Sequence, residues 1–333
     1  MTAETNFRHG GFKMFSIILT LFFYIAVLVF NYLTMQNFGT DIGIFTNNTG
    51  DVSRYFQIEI TPANWTFAIW GFIYAWQLLF IVYAMTTLCR KTESGYLYMH
   101  SSQMPTGIYW IYIFNNLLNV AWLILWDRFM VEWSLLVIVF IPITLYIMIL
   151  LTVRALNAGQ ASLANEGMGR EIWFNRFFVQ NAFGIYAAWT TIASLINFAV
   201  VMAYKVGLDQ AFASTVSLGV LAFLLVVWII MDLIVCDKYT RFLFTPYIVV
   251  AVALAGSMHL NWVPTKRNSI FTAVLEGVDG AALIIKFISM IYRQCTSPIP
   301  ATGKEKRAAY QADAEAQSEP EKLQIVEPYT GNL

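Results

Sequence analysis

The stretch Ile60–Met85, ITPANWTFAIWGFIYAWQLLFIVYAM, decides the fold. It opens on a turn, Thr61-Pro62-Ala63-Asn64, and runs on as mostly apolar sequence. About 20 such residues, rising about 1.5 Å each in a helix, cross a hydrocarbon core of roughly 30 Å. Trp65, Trp70, Tyr74, Trp76 and Gln77 all stud this one segment. A plain anchor of Leu and Val has no use for so many amphipathic rings, so the segment reads as the centre around which other helices pack.

The rest of the chain has the same character. Of 333 residues, 58% are hydrophobic and 12% charged, against about 45–50% and about 25% in soluble domains. The composition is that of a polytopic membrane protein, whose first partner is the lipid bilayer. A formal net charge of zero gives a nucleic acid nothing to hold. Cys89, Cys236 and Cys295 lie far apart without a CxxC pair, so neither a metal site nor a cofactor is implied. The run Met14–Met35 follows Arg8 and Lys13, exceeds a signal-peptide core and lacks an A-x-A-like exit; it reads as a signal anchor that stays.

The fold class is all-α. Eight spans are expected, at about 14–35, 65–88, 108–126, 131–153, 177–203, 214–235, 243–259 and 269–292. The eighth carries Glu276, Asp279 and Lys286 and leaves seven as the alternative count. Residues 1–13 are then a cytosolic N-terminus, 14–203 a five-helix unit, 204–296 additional membrane helices, and 297–333 a charged, disordered cytosolic tail.

Three signs orient the bundle with its N-terminus in the cytosol. Arg90, Lys91, Arg154, Arg170, Arg176, Lys238 and Arg241 fall on the cytosolic side, against Arg54, Arg128, Lys205, Lys266 and Arg267 opposite. Asn47-Asn48-Thr49 is a glycosylation sequon in the long lumenal loop; a second, Asn64-Trp65-Thr66, lies too near the membrane for use. The three cysteines sit at cytosolic helix ends, where acyl chains attach.

Polar residues among aromatic ones recur in the second, third and fifth spans. Asn115 and Asn119 share a face, with Trp122 following. Tyr186, Trp189, Ala193 and Asn197 form one stripe. Such stripes have two readings. Amides and small residues glue helices together at about 1 kcal/mol per contact, or the stripes face one another and line an aromatic cavity with a few polar anchors. Pro142 predicts a kink in the fourth span.

Three motifs in order, Pro62-Ala63-Asn64-Trp65-Thr66-Phe67-Ala68-Ile69-Trp70-Gly71 with Tyr74, Leu118-Asn119-Val120-Ala121-Trp122, and Tyr186-x-Ala188-Trp189 with Ala193 and Asn197, resemble those of the TspO/MBR family, the translocator or tryptophan-rich sensory proteins. The resemblance covers about residues 14–203. It implies a TspO-like core of five helices that binds porphyrins or sterols in a cavity closed by the first loop. Carried over, the ligand-binding residues are Trp70, Tyr74, Asn119, Trp122, Tyr186, Trp189 and Asn197. The family's prolines after the third-helix Trp are here Leu123 and Ile124.

Glu276, Asp279 and Lys286 project at roughly 0°, 300° and 280° around the last span, one face of a helix. They suggest an ion or substrate path, structural pairing near Asp232 or His259, or an interfacial helix. Asp232 reads as solvated at a helix end, His259 as interfacial, and Gly277 with Gly280 as a close-packing face. No nucleophile–base pair or phosphate loop stands out, so an enzyme is not expected. The leading expectation is a multi-pass protein that binds, transports or senses a porphyrin- or sterol-like molecule. The alternatives are a transporter or channel using the charges of the last helix, and a seven-helix receptor. A homodimer stays open. A sequon and an uncleaved anchor favour the plasma membrane or endomembrane of a eukaryote over the mitochondrial outer membrane.

Overall fold

The computed structural model describes residues 9–35, 38–93 and 95–299. The expected disordered tail lies, from residue 300, outside the described residues, as do residues 1–8 of the N-terminal segment. One compact unit ends at Met290 and a second begins at Ile291; the described part of the second carries the last turns of the final helix.

The helices are α1 (Gly11–Met35), a short α2 (Thr49–Tyr55), α3 (Ile69–Thr86), α4 (Thr106–Asp127), α5 (Val131–Asn165), α6 (Asn181–Tyr204), α7 (Gln210–Ile230), α8 (Thr245–Asn261) and α9 (Arg267–Thr296). A 3₁₀ turn, Asn64–Ala68, leads into α3, and a helix at Gly169–Phe174 followed by a π-turn at Asn175–Gln180 leads into α6. Lys91–Thr92 and Gly95–Tyr96 form a two-residue antiparallel ladder. Among the described residues, 6 helices are long and apolar enough to cross a membrane. The chain is therefore a multi-pass helical membrane protein. The 17-residue α8 is apolar but shorter. The 30-residue α9 has Thr272, Leu275, Asp279, Ala282 and Lys286 buried and Val274, Val278, Ile285 and Ile288 exposed. Polar residues in and aliphatic ones out is the pattern of a helix facing lipid.

The centre of the bundle is α6, rather than the helix opened by Ile60–Met85. It packs on α3, α5, α7 and α8, and Ala182, Gly184, Ala187 and Ala188 are all buried along it. Small residues let neighbouring backbones approach, which is how helices pack where lipid removes the hydrophobic drive between them. A Cβ on Gly184 would sit 2.6 Å from Leu243 Cδ1 and 2.7 Å from Thr245 Oγ1, so any larger residue would push these side chains out of the α6–α8 contact. Next to it Asn181 donates to Arg176 O at 2.9 Å, a carbonyl at the π-turn, and to Phe242 O at 2.8 Å. Its Oδ1 accepts from the N–H groups of Phe244 and Thr245. One amide thus satisfies the loose backbone on both sides of the α6–α8 contact.

At the other end of α8, Gly256 lies against Thr66, and Ala63 N donates to Gly256 O at 3.0 Å. These two contacts fasten α8 to the helices before it. The expected close-packing role of Gly277 and Gly280 is not realised. A Cβ on either would meet nothing within 4 Å, because both sit beside rather than on the buried stripe of α9.

Pro142 lies inside the continuous α5. Having no N–H, it leaves the carbonyl of Ile138 without its helical donor. Ser194 of α6 approaches that carbonyl at 3.2 Å, and Asn115 of α4 donates to Ile141 O at 3.0 Å. Neighbouring helices thus satisfy backbone that lipid cannot.

Candidate functional site

The start of α3 with the turn before it, the end of α4 and the second half of α6 gather at one end of the bundle and enclose an aromatic cavity of about 50 Å³. Phe67, Trp70, Trp122, Trp126, Trp189 and Asn197 stand on its wall. Trp122 and Trp126, one turn apart on α4, stack at 5.8 Å. Trp70 meets Trp189 edge to face at 6.3 Å, and Phe67 meets it at 6.2 Å in the same way. Offset and edge contacts of this kind fix ring positions beyond simple burial. The indole N–H groups of Trp122 and Trp189 are buried without a hydrogen-bond partner. Asn197 is engaged by the protein, accepting from Ser134 Oγ at 3.0 Å and donating to Ala193 O at 2.9 Å. A second cavity of about 180 Å³ adjoins the first and shares Phe67, Trp70 and Trp122 with it.

Of the residues expected to meet a ligand, Trp70, Trp122, Trp189 and Asn197 reach the first cavity, while Tyr74, Asn119 and Tyr186 form the layer behind it. Tyr74 stacks on Trp70 at 5.6 Å, and Tyr186 meets Trp70 edge to face at 6.0 Å. Asn31 donates to Asn119 at 2.8 Å, and Asn119 donates to the Tyr186 hydroxyl at 3.0 Å. This chain ties α1, α4 and α6 together under the aromatic floor.

The cover comes from the loop after α1. Thr49 and Ser53 of α2, and Phe56 just after it, close the first cavity. Asp127 at the end of α4 holds the loop. It accepts from the N–H groups of Thr46 and Asn47 at 2.9 and 2.7 Å and from Thr46 Oγ1 at 3.0 Å. The half-buried Asn47 of the sequon donates to Asp127 O at 2.9 Å. Glu59, where the loop returns to the bundle, accepts from Lys266 Nζ and Asn268 Nδ2, both at 2.8 Å. The lysine beside it holds its carboxyl below the usual glutamate value. Trp126 and the Asp127 clasp were not singled out from the sequence. Trp126 was within reach, being four residues from Trp122 and so on the same face, whereas the clasp depends on how the loop folds back.

The charged residues of α9 do not form one group. Lys286 pairs with Asp232 at 2.8 Å and donates to Thr240 O at 3.0 Å, and Tyr247 donates to the other oxygen of Asp232 at 2.8 Å. Asp232, expected to be solvated, is 1% exposed. The π-turn Met231–Val235 lies beneath α8 and α9 there and exchanges water for a lysine and a tyrosine. Asp279 is buried elsewhere along α9, and Glu276 is half-buried. His259 is exposed, with Trp65 edge-on to it at 6.5 Å.

No curated protein and no solved structure matches the chain. The family model described as TSPO-like protein matches residues 17–286. The match takes in α7, α8 and most of α9, beyond the five helices on which the resemblance first rested. With its Trp-lined cavity, its looped cover and a match across most of its length, the chain belongs to the TSPO-like protein family.

Proposed function

We propose that the protein binds a flat hydrophobic molecule, porphyrin- or sterol-like in class, in the cavity walled by Trp70, Trp122, Trp126 and Trp189, and transports or senses it. The observation that carries this reading is the pair of buried, unpartnered indole N–H groups of Trp122 and Trp189 on that wall. A buried indole N–H normally finds an acceptor, and the polar edge of a bound ligand supplies one. The enclosed space is 50 Å³ in one cavity and 180 Å³ in the next, below the roughly 300 Å³ at which small-molecule sites usually begin. A porphyrin or sterol therefore enters by displacing α2 and joining the two cavities, with the Asp127 clasp as the contact that opens.

The sequon and the uncleaved anchor support a place in the plasma membrane or endomembrane of a eukaryote, with a glycan on Asn47. Because the Asn47 amide is engaged with Asp127, the glycan is added before the loop docks. A mobility shift on enzymatic deglycosylation, lost in Asn47→Gln, checks that part.

The central test is quenching of intrinsic tryptophan fluorescence by a porphyrin in detergent, with Trp122→Ala and Trp189→Ala alongside. Saturable quenching whose affinity falls about tenfold in both variants is expected. Quenching that is unsaturable, or as tight in both variants as in the unchanged protein, overturns the reading.

A further inference from the structure

A third cavity, distinct from the two beside the tryptophans of α3, α4 and α6, lies among α5, α6, α7, α8 and α9 and has a volume of about 50 Å³. Asp279 lines it. Its side chain is 0% exposed, and neither carboxylate oxygen has a hydrogen-bond partner. Its nearest basic neighbour along α9, Lys286, is bound to Asp232 and Thr240. Tyr247, also on the wall, gives its hydroxyl to Asp232 and presents its ring. Trp228 of α7 stands 6.5 Å from the Tyr247 ring and 6.5 Å from that of Tyr146 of α5. Asp279 lies about 18 Å along α9 from Arg267, near mid-depth in a core of roughly 30 Å. A buried carboxylate at that depth is costly unless a proton or a cation joins it.

We infer that Asp279, Tyr146, Trp228 and Tyr247 form a binding site for the ammonium head of a lipophilic amine. The carboxylate supplies the counter-charge, and the three rings supply the faces over which an alkylammonium settles. The volume fits the head alone. Tyr146 and Leu224 on the rim are 39% and 38% exposed at the outer surface, so the apolar tail leaves between α5 and α7 into lipid. Amine-bearing phospholipids keep their headgroups at the interface and do not reach this depth, which selects a single-chain amine that enters from the hydrocarbon.

The test uses the full chain in detergent, with hexylamine as the probe and hexanol as its neutral counterpart, read by thermal unfolding and by tryptophan fluorescence. Hexylamine is expected to stabilise saturably and hexanol not. Asp279→Asn is expected to weaken hexylamine about tenfold or more, and Trp228→Leu to weaken it severalfold by removing a ring. Equal responses to hexylamine and hexanol overturn the inference, showing only an apolar crevice. Unchanged hexylamine affinity in Asp279→Asn also overturns it, as does unchanged affinity in Trp228→Leu should the first variant fail to fold. The porphyrin experiment concerns a different cavity, so its failure leaves this result standing.

Discussion

Asn119 donates to the Tyr186 hydroxyl at 3.0 Å while its own carbonyl accepts from Asn31 at 2.8 Å. All three side chains are buried. Replacing Asn119 with Leu leaves Asn31 and Tyr186 each without this partner at buried positions. A loss of about 1–3 kcal/mol of stability is expected, the cost of stranding buried polar groups. Reversible unfolding in mixed detergent micelles measures it. Porphyrin affinity should fall far less than in Trp122→Ala, since Asn119 stands behind the cavity wall. Equal losses of affinity in the two variants would return Asn119 to the ligand.

Ser194 supports the proline in the neighbouring helix. Its hydroxyl lies 3.2 Å from Ile138 O, the carbonyl that Pro142 leaves without a helical donor. Ser194→Ala should destabilise the protein by about 1 kcal/mol. In the background Pro142→Ala, which restores the missing N–H, the same change should cost less. A double-mutant cycle in Pro142 and Ser194 gives the coupling directly. A coupling indistinguishable from zero means that Ser194 serves only its own helix through Thr190 O, which it contacts at 2.7 Å.

The individual helices were legible because each long apolar run must satisfy its backbone internally, and only a helix does so in lipid. The tryptophan cavity was legible in part. Trp70, Trp122 and Trp189 carry their helical spacing in the sequence, but whether Asn119 meets ligand or protein depends on Asn31, in a helix 88 positions away. The leading place of α6 was hidden because small residues such as Gly184 score as weakly apolar, although their value lies in letting Leu243 and Thr245 come close. The burial of Asp232 was hidden for a related reason. A charge near a helix end looks solvated until α8 and α9 are known to cover it.

The Asp232–Lys286 pair predicts an asymmetry between single and double variants. Lys286 is 2% and Asp232 0% exposed at the side chain, 2.8 Å apart. Lys286→Met leaves a buried carboxylate with Tyr247 alone, and a loss of about 3–5 kcal/mol is expected. The double variant Lys286→Met with Asp232→Asn removes both charges and should recover much of that loss. Yield of monodisperse protein and unfolding in mixed micelles both report it. A double variant no better than the single one would mean that Lys286 is needed for more than its partner's charge.

Glu59 sets a pH dependence in the segment that follows the cavity's cover. It joins the loop after α2 to Lys266 and Asn268 in and beside the α8–α9 turn, at 2.8 Å each. The lysine contact holds its carboxyl below the ordinary glutamate value; burial opposes it, and the asparagine adds a lesser push in the lysine's direction. A carboxyl lowered on folding contributes stability that is present above its unfolded pKa and is lost as pH falls through the folded one. The loop should therefore hold at neutral pH and loosen under acid, below the ordinary glutamate range. Amide hydrogen exchange across residues 56–63, compared at neutral and acid pH, follows the opening. Glu59→Gln should exchange faster at neutral pH and lose the dependence on acid. An acid response of unchanged size in Glu59→Gln would place the titrating group elsewhere in the loop.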